Sequence, residues 1–389
     1  MQQGLGEWAL DPNVIYLNHG SYGACPQPVL AYQSQLRTQL EAQPTHFFKD
    51  ELEPLLDQAR YELAQFLGAT ASDLVFVPNA TTGVNTVLRS LPWQAGDQIL
   101  MTNHTYNACQ NAVRFLAERQ GVTVVTAQIP FPIESPDQVV AAVLAGVSSQ
   151  TRLALLDHVT STTSLVLPLK RLVAELGDRQ IDTLVDGAHA PGMLPLDLEQ
   201  LGAAYYTGNC HKWLCTPKGA AFLHVRSDRQ AHIRPLVISH GANSPRRDRS
   251  RFQLEFAWTG TTDPTPSLTV PKAIHYLGER LPGGWPALMA QNRSLALAAR
   301  NLIASELNLP LSAPDNMSGA MATLPLPHRQ QTAALSLSQD LWQQFKIAVP
   351  VIPLPEHDQA GLRISAQIYN HLGQYQELVK ALATLMNLY

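Results

Sequence analysis

The sequence has few cysteines, few charged residues and no long hydrophobic run. Four cysteines in 389 residues are too few for a disulfide scaffold, and no two form a CxxC pair, so we expect a reduced, cytoplasmic protein. The longest apolar run, residues 139–147, falls well short of the roughly 20 residues that span a bilayer. The first twelve residues lack the basic start and apolar stretch of a signal peptide, so we expect none.

The charge balance also excludes some partners. The chain has 27 basic and 31 acidic residues, which gives a formal net charge of −4. A nearly balanced chain gives no reason to expect a nucleic acid or a membrane surface as partner. The densest charge cluster is RRDRSR at residues 246–251. A solvated basic loop is the default interpretation, and a role in binding a substrate with an extra carboxylate is the alternative.

Short β-branched runs alternate with helical patterns in the first part of the chain. We predict strands at 14–17, 74–77, 98–101, 122–126, 153–156, 183–185, 204–207 and 221–225. Apolar residues at helical spacing fill most of the gaps, as at 50–67. This alternation predicts an α/β fold with a mostly parallel central sheet and helices on both faces. Such sheets bind ligands at the carboxyl ends of their strands.

The pattern changes after about residue 265. Helices are predicted at 267–281, 285–306 and 371–388, with weak strands near 348–352 and 362–364. These elements indicate a second, smaller α+β domain. We therefore assign residues 17–265 to a large domain, and residues 1–16 and 266–389 to a small one.

Two polar motifs follow predicted strands and precede helices. Residues 79–83, NATTG, could bind an anion through free backbone N–H groups and threonine hydroxyls, although such a turn is also typical of a helix N-cap. Residues 103–107, NHTYN, supply His104 and Tyr106. An aromatic ring at this place could lie flat on a planar ligand, or it could be an ordinary buried side chain.

Three further motifs carry charged groups in apolar surroundings. Asp186 ends an apolar strand, where a carboxylate is poorly solvated unless a cation faces it or it caps a turn. Lys212 lies between His211 and Trp213 just past a short strand, and desolvation would make its amine nucleophilic. Arg363 lies inside an apolar strand and needs an anion, either a substrate carboxylate or a structural one.

Together these motifs are the parts of a pyridoxal 5'-phosphate site. Lys212 would form a Schiff base with the cofactor, and Asp186 would keep the pyridine nitrogen protonated. The turn that contains Thr81 and Thr82 would hold the phosphate, and Arg363 the carboxylate of the substrate. We assign no metal site.

On these residues the chain resembles the class V aminotransferase family of fold-type I pyridoxal phosphate enzymes over nearly its whole length. The strings GNCHKW at 208–213 and WTGTTD at 258–263 are most similar to the isopenicillin N epimerase-like branch. Cysteine desulfurases and the C–S lyases of cysteine and hercynylcysteine sulfoxide are relatives. The resemblance implies a fold-type I architecture, a small-molecule amino-acid substrate and a homodimer with shared active sites.

The resemblance also implies a role for each matching residue. Lys212 and Asp186 keep the roles given above, His189 lies near the ring hydroxyl, and Arg363 binds the substrate carboxylate together with Asn18. The stacking position falls on Tyr106 or His104, and we prefer Tyr106. The residues matched to phosphate binding, the last two of them reaching the partner subunit's site, are Ala80, Thr81, Asn209, His211, Gly260 and Thr261.

We therefore expect an enzyme that acts at Cα of an amino acid, with epimerisation or racemisation as the first hypothesis. A β-eliminating C–S lyase acting on cysteine or an S-substituted cysteine is the second hypothesis, and an aminotransferase the third. A non-catalytic protein that binds pyridoxal phosphate is the remote alternative. Desulfurases carry a sulfur-accepting Cys shortly before the carboxylate-binding Arg, but residues 349–361 contain none, which disfavours that reaction.

Overall fold

The computed structural model describes residues 5–326, 331–355 and 359–386. Its strands are β1 (Ile15–Tyr16), β2 (Leu74–Val77), β3 (Gln98–Thr102), β4 (Thr123–Ala127), β5 (Thr151–Asp157), β6 (Asp182–Asp186), β7 (Tyr205–Asn209), β8 (Ala221–Val225), β9 (Met321–Leu326), β10 (Ile347–Ala348), β11 (Val351–Pro353) and β12 (Ala360–Ser365). Its α-helices are α1 (His19–Tyr22), α2 (Gln27–Ala42), α3 (Pro44–His46), α4 (Leu52–Leu67), α5 (Ala80–Ser90), α6 (Asn107–Gln120), α7 (Pro136–Ala145), α8 (Leu169–Gly177), α9 (Leu198–Leu201), α10 (Arg251–Ala257), α11 (Thr265–Leu268), α12 (Val270–Gly278), α13 (Gly284–Glu306), α14 (Gln331–Phe345) and α15 (Leu372–Met386).

Seven strands form the central sheet in the order β2-β8-β7-β6-β5-β3-β4. Strand β8 is antiparallel to β2 and to β7, and the other neighbouring strands are parallel. The prediction of a mostly parallel sheet is confirmed, and the order of its strands is new information. The sequence predicted all seven of these strands to within two residues at each end.

The two faces of this sheet are buried under different helices. Along β5, Leu153 and Leu155 pack with α5 and α6, whereas Ala154 and Leu156 pack with α7 and α8. Successive residues of a strand point to opposite faces, so Asp157 continues the face that α5 and α6 cover. By the same alternation, Asp186 follows Leu184 on that face of β6. The carboxyl ends of the parallel strands thus present polar groups beside α5 and α6.

A smaller set of strands lies outside the central sheet. Strands β11, β12 and β9 form an antiparallel sheet in that order, and α13, α14 and α15 pack with it. The short strand β1 pairs in parallel with β10, with Ile15 opposite Ile347. The backbone N–H of Ser365 also donates to the carbonyl of Leu17. The beginning of the described chain is therefore joined to elements from its last part.

Several elements differ from the sequence prediction. The predicted helix 267–281 is divided into α11 and α12, and the predicted strand 348–352 into β10 and β11. Strand β9 was not predicted. Helix α15 corresponds to the predicted helix 371–388, whose last two residues lie outside the described residues. The domain boundary near residue 265 stays a prediction.

Candidate functional site

A cavity of about 340 Å³ lies at the carboxyl ends of β5, β6 and β7. Asp157, Asp186 and Asn209 end these three strands and line it. Of the fourteen residues predicted for the site, nine line this cavity: Ala80, Thr81, Tyr106, Asp186, His189, Asn209, His211, Lys212 and Arg363. Residues far apart in the sequence are thus brought together where the strand-end rule places a ligand.

The first turn of α5 forms one wall of the cavity. Asn79 caps the helix, because its Oδ1 accepts hydrogen bonds from the backbone N–H of Thr82 at 2.8 Å and from its hydroxyl at 3.0 Å. Asn209 Oδ1 accepts from the backbone N–H of Ala80 at 2.9 Å and ties the helix start to β7. A helix N-terminus with a positive dipole end and side-chain donors can bind an anion such as a phosphate. Thr82 serves the cap and does not line the cavity.

A glycine allows this wall to lie close to the sheet. A Cβ atom on Gly83 would overlap the Thr207 hydroxyl, which itself donates to the carbonyl of Phe222 at 2.8 Å. Only a residue without a side chain lets α5 approach β7 this closely. Gly83 therefore fixes the distance between the helix start and the end of the strand that leads to Lys212.

Lys212 lies buried just past β7. Its amine donates a hydrogen bond to His189 Nε2 at 3.1 Å. Burial lowers the pKa of Lys212 to about 8, the charge of Asp186 opposes this shift, and the charge of Arg363 adds to it. Burial and the Lys212 charge also hold the pKa of His189 well below its usual range, so its ring is neutral. The lowered pKa therefore makes the uncharged, nucleophilic amine far more populated near neutral pH than it is in an exposed lysine.

Asp186 is buried at the end of β6. Its Oδ1 accepts from the backbone N–H of Ala188 at 3.0 Å, and its Oδ2 accepts from the Cys109 thiol at 3.2 Å. Within the described chain, no Lys, Arg or His side chain forms an ion pair with it. A buried carboxylate on a cavity wall can hold a protonated ring nitrogen, which supplies the missing cation.

Arg363 faces the cavity from β12. One terminal nitrogen donates to the carbonyl of Ser161 at 2.7 Å, and the other donates to the hydroxyl of Ser21 at 2.6 Å. Burial lowers its pKa to about 10, so it remains a cation at neutral pH. No carboxylate among the described residues forms an ion pair with it, and its buried Nε has no partner. The guanidinium is therefore held by neutral groups and can bind a carboxylate.

Asn18 supports this arginine from outside the cavity wall. Its Oδ1 accepts from the Ser21 hydroxyl at 2.6 Å and lies 3.4 Å from Arg363 Nη2. The neighbouring His19 is buried, and its ring nitrogens lie 2.7 Å from the Tyr369 hydroxyl and 3.0 Å from the carbonyl of Lys212. The segment around α1 thus connects the arginine with the lysine loop.

The two aromatic candidates are separated by the structure. Tyr106 is the N-cap residue of α6, lines the cavity and is 44% exposed. His104 is buried outside the cavity wall, and its ring nitrogens lie 2.6 Å from the Thr163 hydroxyl and 3.0 Å from the carbonyl of Ile129. Of the two candidates, Tyr106 lines the cavity and His104 does not.

Two other predicted features lie away from this cavity. Gly260 and the exposed Thr261 belong to the loop between α10 and α11 and do not line it. Two arginines of the cluster at 246–251 pair with acidic residues of α4. Arg246 donates to the two carboxylate oxygens of Glu53 at 2.7 and 2.8 Å, and Arg249 donates to those of Asp57. Arg251 pairs instead with Glu255 of α10. Most of this basic cluster is therefore engaged in ion pairs within the chain.

The sequence reasoning missed Asp157, which lines the cavity beside Asp186. The strand-end rule that selected Asp186 could have found it, since Asp157 ends the neighbouring strand. Across residues 5–326, 331–355 and 359–386, no cluster of His, Cys, Asp and Glu could hold a metal ion. The same search found no helix both long and apolar enough to cross a membrane.

The chain is similar along nearly its whole length to several known proteins. The isopenicillin N epimerase of Amycolatopsis lactamdurans is 37% identical over 97% of this chain and 96% of its own length. The isopenicillin N epimerase of Streptomyces clavuligerus is 35% identical over 99% of this chain and 98% of its own length. A putative L-cysteine desulfhydrase of Oryza sativa subsp. japonica is 32% identical over 97% of this chain and 85% of its own length.

A solved structure of a cystine C–S lyase with its reaction product, cysteine persulfide, superposes with a TM-score of 0.82 at 23% identity. The superposition covers 98% of this chain and 99% of the other. It confirms the predicted fold-type I architecture. The family described as aminotransferase class-V matches residues 15–338. This chain therefore belongs to the class-V aminotransferase family.

Proposed function

We propose that this protein is a pyridoxal 5'-phosphate-dependent enzyme that inverts the configuration at Cα of an amino acid. The observation that carries the proposal is the buried Lys212 amine with its lowered pKa, which lines the same cavity as Asp186 and Arg363. The similarity to two proteins named isopenicillin N epimerase, at 35% and 37% identity, favours epimerisation among the reactions open to such a site.

The cavity fits this cofactor. The start of α5, with Ala80 and Thr81, suits its phosphate, and Asp186 suits the protonated pyridine nitrogen. Tyr106 can lie on the ring face. His189 Nδ1 is buried on the wall without a partner, as expected where a polar ligand group completes the hydrogen bonding. When bound, the cofactor withdraws electrons from Cα of the substrate and makes the Cα proton acidic.

The protein's own groups then divide the work. Arg363 binds the α-carboxylate of the substrate and orients Cα. Its guanidinium is held in place by Ser21 and Ser161, and it has no carboxylate partner in the described chain. Lys212, held by the neutral His189, accepts the Cα proton on one face. Its pKa of about 8 makes it an effective base near neutral pH.

Inversion also requires an acid on the opposite face of Cα. The Tyr106 hydroxyl is our candidate, since this side chain lines the cavity. Burial raises the pKa of Tyr106, so the phenol carries its proton at neutral pH and can donate it. In one direction Lys212 would accept the Cα proton on its face while Tyr106 donates a proton on the opposite face. In the reverse direction the deprotonated Tyr106 would accept the proton and the protonated Lys212 would return one.

A β-eliminating C–S lyase is the second candidate, favoured by the 32% identity to the putative L-cysteine desulfhydrase. Persulfide formation on the protein is disfavoured. All four cysteines are buried, and none lines the cavity. A lyase of this kind would release its sulfur without a protein thiol.

The test is to incubate the cofactor-loaded enzyme in heavy water with L-amino acids and S-substituted cysteines, and to follow them by proton NMR. Epimerisation gives deuterium at Cα and accumulating D-product. Pyruvate and a released sulfur compound would instead establish the lyase. Lys212→Ala should lower Cα exchange by about 10²–10⁴-fold. Unchanged turnover in this variant would refute the role of the amine.

Tyr106→Phe is the matched variant for the second acid. It keeps the ring but removes the hydroxyl, so deuterium should still enter through Lys212 while inversion falls by about 10²-fold or more. Equal rates of inversion in both proteins would remove Tyr106 from the mechanism.

We also infer a homodimer with shared sites. Gly260 and Thr261 do not line the cavity of their own chain, which supports the expectation that this loop reaches the partner's phosphate. Light scattering at working concentration should give twice the mass of the 42.6 kDa chain. A monomer with full activity would refute the shared site, and Thr261→Ala should weaken cofactor binding only in the dimer.

A further inference from the structure

The cavity contains a second buried carboxyl that the proposed mechanism does not use. Asp157 is 2% exposed and lines the cavity. It pairs in register with Asp186 on the adjacent parallel strand, so both side chains leave the sheet on the same face. Neighbouring strands lie roughly 5 Å apart, which brings the two carboxyls close together.

The two oxygens of Asp157 have different surroundings. The backbone N–H of Tyr106 and the Thr105 hydroxyl lie on one side of the carboxyl, where they favour its ionised form. Its Oδ2 has no partner although it is buried. A carboxylate oxygen without a donor is costly in such a place, whereas a protonated oxygen is itself a donor.

The charges around Asp157 also favour the protonated form. Asp186 faces it from β6 and Cys109 from α6, whereas the Lys212 amine, in the loop after β7, acts in the opposite direction. Burial and the Asp186 charge raise the pKa of Asp157 well above its usual range. Two carboxyls this close together favour a state in which only one of them is ionised.

We propose that Asp157 is a positioning residue that stays protonated beside an ionised Asp186. One oxygen holds the Tyr106 backbone and thereby the ring that lies on the cofactor. The other oxygen carries the proton and donates it in a hydrogen bond to the Asp186 carboxylate. Asp186 then alone carries the charge that meets the pyridine nitrogen. This inference rests on the proposed use of pyridoxal phosphate.

Two substitutions distinguish a protonated Asp157 side chain from an ionised one. Asp157→Asn keeps one donor and one acceptor and has no charge, like the protonated acid. Asp157→Leu has similar size but removes both hydrogen-bonding groups. Asp182→Asn is the control, because Asp182 begins β6 at the far end of the strand, where it pairs with Arg229 at 2.7 Å.

The measurements are the cofactor dissociation constant and the pH midpoint of the bound cofactor's visible absorbance. We expect Asp157→Asn to stay within about threefold of the parent in affinity with an unchanged midpoint, and Asp157→Leu to bind at least roughly tenfold more weakly with a shifted midpoint. If Asp157→Asn shifts the midpoint as much as Asp157→Leu, Asp157 is ionised and the inference is overturned.

Infrared spectroscopy tests the proton directly, even where Asp157→Leu fails to fold. The parent enzyme at pH 7 should show a protonated-carboxyl stretch that is lost in Asp157→Asn and retained in Asp182→Asn. Its absence from the parent would overturn the inference. A parent protein that does not bind pyridoxal phosphate would refute the proposed function, whereas normal binding with the wrong pattern of variants would refute only the role of Asp157.

Discussion

Replacing Lys212 by Met should make the cofactor-free protein more stable at neutral pH. A charged amine in a buried site is poorly solvated, and this is why the pKa of Lys212 falls from 10.5 to about 8. At about 1.4 kcal/mol per pH unit, the buried charge costs about 3 kcal/mol while the amine is protonated in both the folded and the unfolded chain. Met has similar length and carries no charge, so its substitution removes this cost.

The stability advantage of Lys212→Met should decrease as the pH rises. The folded-state pKa is the lower one, so the cost is fully present below about pH 8. It disappears as the pH rises toward 10.5, where the unfolded chain also loses its proton. The advantage of Lys212→Met should therefore shrink from about 3 kcal/mol at pH 7 to about 1 kcal/mol at pH 9.5. Loss of the hydrogen bond to His189 lowers the stability advantage by the same amount at pH 7 and at pH 9.5.

The assay is urea unfolding of the cofactor-free chains at the two pH values and at one fixed protein concentration. Lys170→Met, on the exposed side of α8, is the matched control and should show no such trend. A Lys212→Met advantage that is absent at pH 7, or that does not shrink by about 2 kcal/mol at pH 9.5, would refute a desolvated amine at this position.

Two further predictions concern the walls of the cavity, and a third concerns the basic cluster that lies away from it. Arg363→Gln should raise KM for an amino acid by about 10–100-fold with a smaller effect on kcat, because the substrate carboxylate loses its charged partner. Steady-state kinetics measures both constants, and an unchanged KM would contradict this role of Arg363. Gly83→Ala should lower the free energy of unfolding by about 1–3 kcal/mol, because the Cβ of the new alanine meets Thr207. Gly177→Ala is the control and should not lower it, because the space around Gly177 is open. Equal denaturation midpoints for the two variants would contradict the close contact. Arg246→Gln should leave KM unchanged, because its ion pairs lie on α4 away from the cavity, and a raised KM would return this segment to substrate binding.

The sequence predicted the central sheet, and it selected residues that the fold brings to one cavity, because both follow local rules. Strands buried on both faces appear as continuous apolar runs, and a polar residue at the end of such a run marks the ligand edge. Asp186 and Asn209 follow this rule. The same rule applies to Asp157, which was overlooked because its strand was predicted to end one residue too early.

What the sequence could not supply depends on distant partners. Strand β9 contains Pro325, which argues against a central strand, but β9 is an edge of its small sheet, where a missing N–H is tolerated. The ion pairs of Arg246 and Arg249 join residues about 190 positions away, so no local pattern reveals them. His104 and Tyr106 are neighbours in sequence, and only the fold turns one toward the cavity and the other into hydrogen bonds with Thr163 and Ile129.

The pairing of β1 with β10 has a consequence for how the site is assembled during synthesis. Ile15 leaves the ribosome long before Ile347, its partner, so β1 lacks its neighbouring strand until nearly the whole chain has been made. Contacts of such high sequence separation form late and slowly. The anion-binding start of α5 and the lysine loop can fold earlier, whereas the arginine side of the cavity closes last. A nascent chain should therefore gain the cofactor half of its site before the substrate half.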